Sequence, residues 1–231
     1  MKVSTYWGHS FLLDLVRDGG LVFDFGVNSG GFSKLLAPRC RRVIGFEPDP
    51  VWRGRLQLPS NVQLVEKALA ARRGVLRLNV NTDKCSSLHY ADSDASSVEV
   101  ETITLADALA MEPEGRIDLI KMDIEGEEIA VLLGADAALF DRVAQMTIEF
   151  HDFLDPASTP QIRSVIARME SLGFTALKMS WRSYGDLVFL NRKLVPLGFG
   201  QLAWILLWQK YMRGFFRMAA RPFKRALAAK T

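Results

Sequence analysis

Two groups of residues have types and spacing that could do chemistry. The first lies in L-V-F-D-F-G-V-N-S-G-G-F, residues 21–32. A hydrophobic run ends on Asp24, and Gly26, Asn28, Gly30 and Gly31 follow within six positions. Gly26 and Gly30 can take positive φ and let the backbone approach a ligand closely. A dinucleotide site wants G-x-G-x-x-G, so that a pyrophosphate can sit on the backbone. Here Asn28 stands at the second glycine position, and an acid precedes the glycines. A carboxylate at that point repels a pyrophosphate and suits a ligand that carries an amine and a sulfonium. This favours S-adenosylmethionine over NAD. Glu47 lies 23 residues beyond Asp24, at the end of the next apolar run. An acid there can accept both hydroxyls of a ribose.

The second group is acidic and imidazole-bearing. I-D-L-I-K-M-D-I-E-G-E-E (117–128) ends an apolar run on Asp123, with Glu125, Gly126, Glu127 and Glu128 after it. Asp123 is the first residue there that can point into a crevice at the strand's end. Gly126 permits a tight turn, and Glu127 and Glu128 read as acids at a helix start, where the helix dipole favours them. Lys121 shares a face with Asp123, and a lysine inside an apolar strand needs a carboxylate partner. I-E-F-H (148–151) puts Glu149 and His151 on one face at the end of another strand. Either could take the proton of a poorly acidic hydroxyl, or bind the hydroxyls of an acceptor. Asp123, Glu125, Glu149 and His151 are hard ligands, but their spacing specifies no metal, and none is expected. His9 has no supporting context. Ser86, Ser87 and His89 read as a turn.

These residues need a scaffold that gathers strand ends. Continuous apolar runs at 21–27, 42–48 and 117–122 read as strands buried on both faces. Segments 32–37, 104–110, 127–140 and 161–172 read as helices between them. Residues 75–80 and 98–104 alternate as a partly exposed antiparallel pair, and 175–181 with 184–192 as a closing hairpin. F-L-L-D-L-V (11–16) reads as a short helix. The alternation predicts an α/β fold: a mostly parallel sheet of about seven strands, with helices on both faces and an antiparallel edge. Ligands bind such sheets at the carboxyl ends of the strands, beside the first one.

The chain of 231 residues suits one α/β domain of residues 1–193 with a tail of residues 194–231. Its net charge of +3 hides an asymmetry. Residues 1–190 hold 20 Lys and Arg and all 26 Asp and Glu; residues 191–231 hold 9 Lys and Arg and no acid. Lys210, Arg213, Arg217, Arg221 and Lys224 gather on one helical face, with Trp204, Trp208, Tyr211, Phe215 and Met218 opposite. Such a C-terminal amphipathic helix (201–230) is expected to lie on an anionic membrane surface. The uncharged run 194–209 is 16 residues, short of the roughly 20 that a span needs. Nucleic acid is not expected as a partner. Cys40 and Cys85 lack metal spacing, and no secretory signal is evident, so the body is expected in the cytoplasm, peripheral on the inner face of the membrane.

In their order, D-F-G-V-N-S-G-G-F-S, G-F-E-P-D-P, N-V-Q-L-V-E-K-A-L-A, S-S-L and K-M-D-I-E-G-E-E resemble the FkbM family of S-adenosylmethionine-dependent methyltransferases. The likeness covers roughly residues 20–192. It implies the class I methyltransferase sheet and O-methylation of a sugar or other small-molecule hydroxyl. It implies cofactor contacts from Asp24, Gly26, Asn28, Gly30, Glu47 and Ala68, and acceptor chemistry at Asp123, Glu149 and His151. Very little sequence precedes the first strand, which leaves a substrate lid unaccounted for. Two other readings stand beside this one: a methyltransferase-like binding module without catalysis, and an NAD-dependent oxidoreductase, which Asn28 disfavours.

Overall fold

The computed structural model describes residues 2–80, 96–205 and 207. The chain runs β1 (Val3–Tyr6), β2 (His9–Leu12), β3 (Gly20–Phe25), α1 (Gly31–Leu36), β4 (Cys40–Phe46), α2 (Pro50–Arg53) and β5 (Val62–Val65). Next come β6 (Ala68–Leu69), β7 (Gly74–Val80), β8 (Ser96–Ile103), α3 (Leu105–Leu109), β9 (Leu119–Met122) and α4 (Glu128–Gly134). It continues with β10 (Gln145–Ile148), α5 (Thr159–Ser171), β11 (Phe174–Lys178), β12 (Leu187–Asn191) and α6 (Phe199–Trp204).

Seven strands form the central sheet, in the order β11-β12-β10-β9-β3-β4-β5. β12 pairs antiparallel with both its neighbours, and the remaining pairings are parallel. This is the mostly parallel sheet of a class I methyltransferase fold. The chain leaves β3 toward β4 on one side and returns to β9 on the other, so the carboxyl end of β3 is a switch point and opens a crevice.

The sheet is covered on both faces. Leu21, Phe23 and Phe25 of β3 join one core with residues of α3, α4 and α5, among them Leu109, Leu132 and Val165. Val22 points the other way, into a core with Phe32 and Leu36 of α1. Both faces of β3 are therefore apolar, and each large side chain contributes about 1.5–3 kcal/mol of burial.

The alternating segments 74–80 and 96–103 pair antiparallel as expected, but with β6 they make a separate three-stranded sheet. Residues 11–16 correct the sequence reading. Phe11 and Leu12 belong to β2, and only Leu13–Leu15 make a helical turn, of the 3-10 type. β1 and β2 form a hairpin around Trp7 and Gly8, whose φ values of 47° and 92° fit a two-residue primed turn. Gln145 pins this hairpin to β10, accepting from the Leu12 N–H at 2.9 Å and donating to its carbonyl at 3.0 Å. Asp186 accepts the Ser10 N–H and hydroxyl at 2.9 and 2.6 Å.

Packing continues past the expected boundary at residue 193. Val195 and Ile205 are buried, and Ile205 packs with Val3, Leu12, Leu177 and Leu190. Most of the expected amphipathic helix, and Cys85, Ser86, Ser87 and His89, lie outside the described residues. Among the described residues, no helix is long and apolar enough to cross a membrane.

Candidate active site

The loop from β3 to α1 is built on an approach that admits no side chain. Gly26 has φ +85°, and a Cβ there would stand 1.9 Å from the Asp123 carbonyl oxygen. The ends of β3 and β9 therefore touch backbone to backbone. Lys121 lies under this contact, almost wholly buried. Its ammonium donates to the Gly26 carbonyl at 2.5 Å and stands 3.6 Å from Asp24 and 3.4 Å from Asp123. Burial works against the charge on Lys121, but Asp123 and Asp24 outweigh it and its pKa is raised.

Asp24 lies beneath the cleft that the sequence predicts it to line. Its carboxylate is fully buried and lines neither of the two cavities described below. Alternation along β3 turns it with Val22 toward α1, where the Ser33 hydroxyl donates to it at 2.6 Å. Burial raises its pKa, against the pull of Lys121 and Ser33. Asp24 thus positions Lys121 and α1 from below.

The other expected cofactor residues fall around one cleft, except Gly30. Gly26, Asn28, Glu47 and Ala68 line it, with Phe46, Trp52, Lys67, Leu69 and Leu78. Gly30 makes the left-handed turn into α1, against Leu56 and Leu58. Asn28 also takes a left-handed φ of 50°, and its N–H donates to Glu47 at 2.6 Å. The Asp49 N–H donates to the other Glu47 oxygen at 2.9 Å. Burial pushes the Glu47 carboxyl up to about 7, while these two N–H groups pull it down. Each oxygen keeps a free lone pair for a ligand hydroxyl. Trp52, Lys67 and Leu69 escaped the sequence reading. A tryptophan in the short helix α2, a lysine between two strands and a leucine in β6 carry no signal of their own.

A second cavity adjoins the first and shares Gly26, Asn28, Asp123 and Glu125 with it. Asp123, Glu149 and His151 come together there, with Tyr6, Trp7, His9 and Phe32. His9 Nε2 stands 3.3 Å from Asp123 Oδ2 and 3.5 Å from Glu149 Oε2. His151 Nε2 stands 3.2 Å from Glu125 Oε2 and 3.7 Å from Asp123 Oδ1. Burial works against the charge on Asp123, but Lys121, His9 and His151 hold its pKa well below the ordinary range. Burial, then Asp123 and Glu125, push Glu149 up to about 8. Burial lowers His151. Glu128 is buried and closes the turn after β9, accepting from the Ile124 and Gly126 N–H groups at 2.8 and 3.0 Å.

The residue missed most completely is His9. The N-terminal hairpin carries it, with Tyr6 and Trp7, onto the cavity. Tyr6 packs so closely on α1 that a Cβ at Gly31 would lie 2.3 Å from its hydroxyl. The hairpin signal, β-prone residues flanking Trp7-Gly8, lacks the Asn-Gly or Asp-Gly pair that marks most such turns.

Residues 24–176 match the family model described as a methyltransferase FkbM domain. The chain is 31% identical over 201 residues to the 31-O-demethyl-FK506 methyltransferase FkbM of Streptomyces tacrolimicus, covering 70% of this chain and 75% of that one. It is 23% identical over 158 residues to the hexuronic acid methyltransferase AglP of Haloferax volcanii, covering 66% of this chain. That match spans 65% of the Haloferax protein, just under two thirds. Among solved structures, an rRNA methylase from Streptococcus thermophilus aligns with a TM-score of 0.44 at 13% identity, over 77% of this chain and 90% of that one.

The cofactor of such a domain is S-adenosylmethionine, and the cleft's donor set fits it. Glu47, Asp123 and Glu125 line the cleft against one lysine, Lys67. That balance suits an amine and a sulfonium and opposes a pyrophosphate. The apolar walls of Phe46, Trp52, Leu69 and Leu78 suit an adenine. The family-model match over residues 24–176, together with the 31% identity to the Streptomyces enzyme, places this chain in the FkbM family of methyltransferases.

Proposed function

We propose that the protein transfers a methyl group from S-adenosylmethionine to a hydroxyl of a sugar or other small-molecule acceptor. The observation that carries this reading is the shared wall. The cofactor cleft and the neighbouring cavity meet at Gly26, Asn28, Asp123 and Glu125. A methyl donor held in the cleft and a hydroxyl held in the cavity would meet at that wall, and holding reactants together supplies much of the rate of such a transfer. When bound, the cofactor supplies an electrophilic methyl on sulfur. In the chain, Glu47 accepts the ribose hydroxyls. Asp123 and His151 hold the acceptor, and Glu149 takes the proton its hydroxyl loses. Asp24 and Lys121 act through the backbone that they brace. Trp7, 79% exposed on the cavity's rim, offers a flat face to a sugar ring. The names of the two relatives support an oxygen-bearing acceptor of this size.

The test is mass spectrometry of hydroxylated acceptors, uronic acids and macrolide fragments first, after incubation with labelled cofactor. A gain of one labelled methyl on oxygen is expected. Glu149→Gln should lower kcat by about 10²–10⁴ and leave S-adenosylhomocysteine affinity within twofold. Cofactor binding with no transfer to any acceptor would favour a binding module.

Glu47 yields a prediction with a sign. Donation by two ribose hydroxyls favours the ionised carboxylate, so binding lowers a pKa that burial has pushed up to about 7. Below that value binding must also expel a proton. S-adenosylhomocysteine should bind about tenfold more weakly at pH 6 than at pH 8. Glu47→Gln should bind weakly at both. Calorimetric titration at the two pH values checks this, and an equal slope in both proteins would refute the assignment.

Attachment of residues 201–230 to an anionic membrane surface is proposed on charge alone. Each Lys or Arg near such a surface contributes about 1 kcal/mol. Flotation with phosphatidylglycerol vesicles should carry the full chain and leave behind a chain cut after Leu207. The cut belongs there, because removing Val195 and Ile205 would uncover the core they pack on.

A further inference from the structure

Asp123 turns its two carboxylate oxygens to different company. Oδ2 faces Lys121 at 3.4 Å and His9 at 3.3 Å. Oδ1 faces His151 Nε2 at 3.7 Å, and that nitrogen lies 3.2 Å from Glu125 Oε2. The first oxygen is served by an ammonium and a ring nitrogen. The second shares a small space with another carboxylate and an imidazole. His151's side chain is 7% exposed, and its Nδ1 is buried with no hydrogen-bond partner among the described residues. Its Nε2 is aimed at the two carboxylates.

We propose that Asp123 Oδ1, Glu125 Oε2 and His151 Nε2 form a three-ligand site for a divalent first-row cation, Mn²⁺ in particular, open toward the acceptor cavity. The three atoms lie within 4.8 Å of one another. Ligand atoms at about 2.0–2.2 Å from such an ion stand roughly 3–3.5 Å apart. The Glu125–His151 pair at 3.2 Å already meets this, and the Asp123–His151 pair at 3.7 Å is within a small rotation of the Asp123 carboxylate of doing so. Behind His151, the buried Glu128 carboxylate lies 3.8 Å from Nδ1. A carboxylate in that place orients a metal-bound imidazole. Glu125 holds a left-handed φ of 59°, which a long side chain rarely adopts, and this backbone keeps its carboxylate beside His151. Two oxygens and one imidazole suit Mn²⁺ better than a thiolate-loving ion. The neighbouring group of His9, Asp123 and Glu149 is the weaker site, because Lys121 already balances that side of Asp123.

The role of the ion rests on the methyl-transfer reading; its binding does not. Asp123 and Glu125 border both cavities, and His151 borders the acceptor's. A cation held by them has open positions toward the acceptor. It would take the reacting hydroxyl and a second oxygen beside it, fix the acceptor in place, and ease loss of the hydroxyl proton to Glu149. The C–S bond to the methyl then breaks as the O–C bond forms, and no redox change occurs.

The test uses the full chain, dialysed against EDTA and titrated with MnCl₂ while electron paramagnetic resonance reports free Mn²⁺. One saturable site per chain is expected. His151→Ala and Glu125→Gln should each weaken it at least tenfold, and Glu149→Gln should leave it within threefold. Thermal unfolding of the same samples shows that the variants are folded, and S-adenosylhomocysteine affinity is measured on the wild-type chain. No saturable site, or one that His151→Ala leaves unchanged, overturns the proposal, as does a site lost in Glu149→Gln and kept in His151→Ala. Mn²⁺ binding without S-adenosylhomocysteine binding would keep the cation site and sink the proposed function. The reverse outcome would sink the cation site alone.

Discussion

Gly26→Ala is expected to abolish S-adenosylhomocysteine binding and to lower the melting temperature by roughly 10 °C. The added Cβ would sit 1.9 Å from the Asp123 carbonyl oxygen and 3.4 Å from the Lys121 ammonium. Neither strand end can step aside cheaply. The Gly26 N–H donates to the Phe46 carbonyl at 3.0 Å, and the Asp123 N–H to the Phe25 carbonyl at 3.1 Å. An alanine at positive φ costs about 1–2 kcal/mol, and overpacking a close contact adds about 1–3 kcal/mol. In a domain of this size each kcal/mol shifts the midpoint by about 2–4 °C. The loop must lift away from β9, and with it goes the wall that both cavities share. Gly134→Ala is the matched control, because a Cβ at that position would meet no atom within 4 Å and its φ is ordinary. It should leave both melting and binding near wild type. Thermal unfolding and calorimetry on the two variants check the contrast.

Lys121→Met should destabilise the protein by about 3–5 kcal/mol, the usual consequence of leaving a buried charge unpaired. Methionine fits the volume and removes the cation. Asp24 then keeps a single strong donor, the Ser33 hydroxyl, with its Oδ1 already lacking any hydrogen bond. The Gly26 carbonyl loses its donor as well. Asp24→Asn in the same chain removes the stranded charge. The double variant should therefore recover a large part of the loss, with a coupling of about 1–3 kcal/mol in a double-mutant cycle. Chemical denaturation of the four proteins measures it. Additive effects would mean that Asp24 and Lys121 do not act as a pair.

What could be read ahead of the fold was local. The loop glycines, the acid after β4 and the acids after β9 and β10 are each marked by one strand ending. Strand ends converge in a parallel sheet whatever the rest of the chain does. The side that Asp24 takes was not legible. β3 is apolar on both faces, so its pattern lacks the polar contrast that would assign an inward or outward direction. His9 was hidden for a different reason. Its partner Asp123 is 114 residues away, and nothing in F-L-L-D-L-V marks Phe11 and Leu12 as strand. The segment 127–140 reads as one helix, yet α4 stops at Gly134 because Ala135 turns to an extended backbone, and a 3-10 turn at Ala137–Phe140 follows. Ser33 carries no mark in the sequence, and only the direction of Asp24 gives it work.

The measurement that bears most directly on the central claim is a crystal structure with S-adenosylhomocysteine soaked or grown in. The ribose hydroxyls should lie within hydrogen-bond distance of the Glu47 carboxylate, the adenine between Trp52 and Leu69, and the sulfur at the wall formed by Gly26 and Asp123. Density for the ligand in any other cleft, or a ribose that leaves both Glu47 oxygens untouched, would contradict the account.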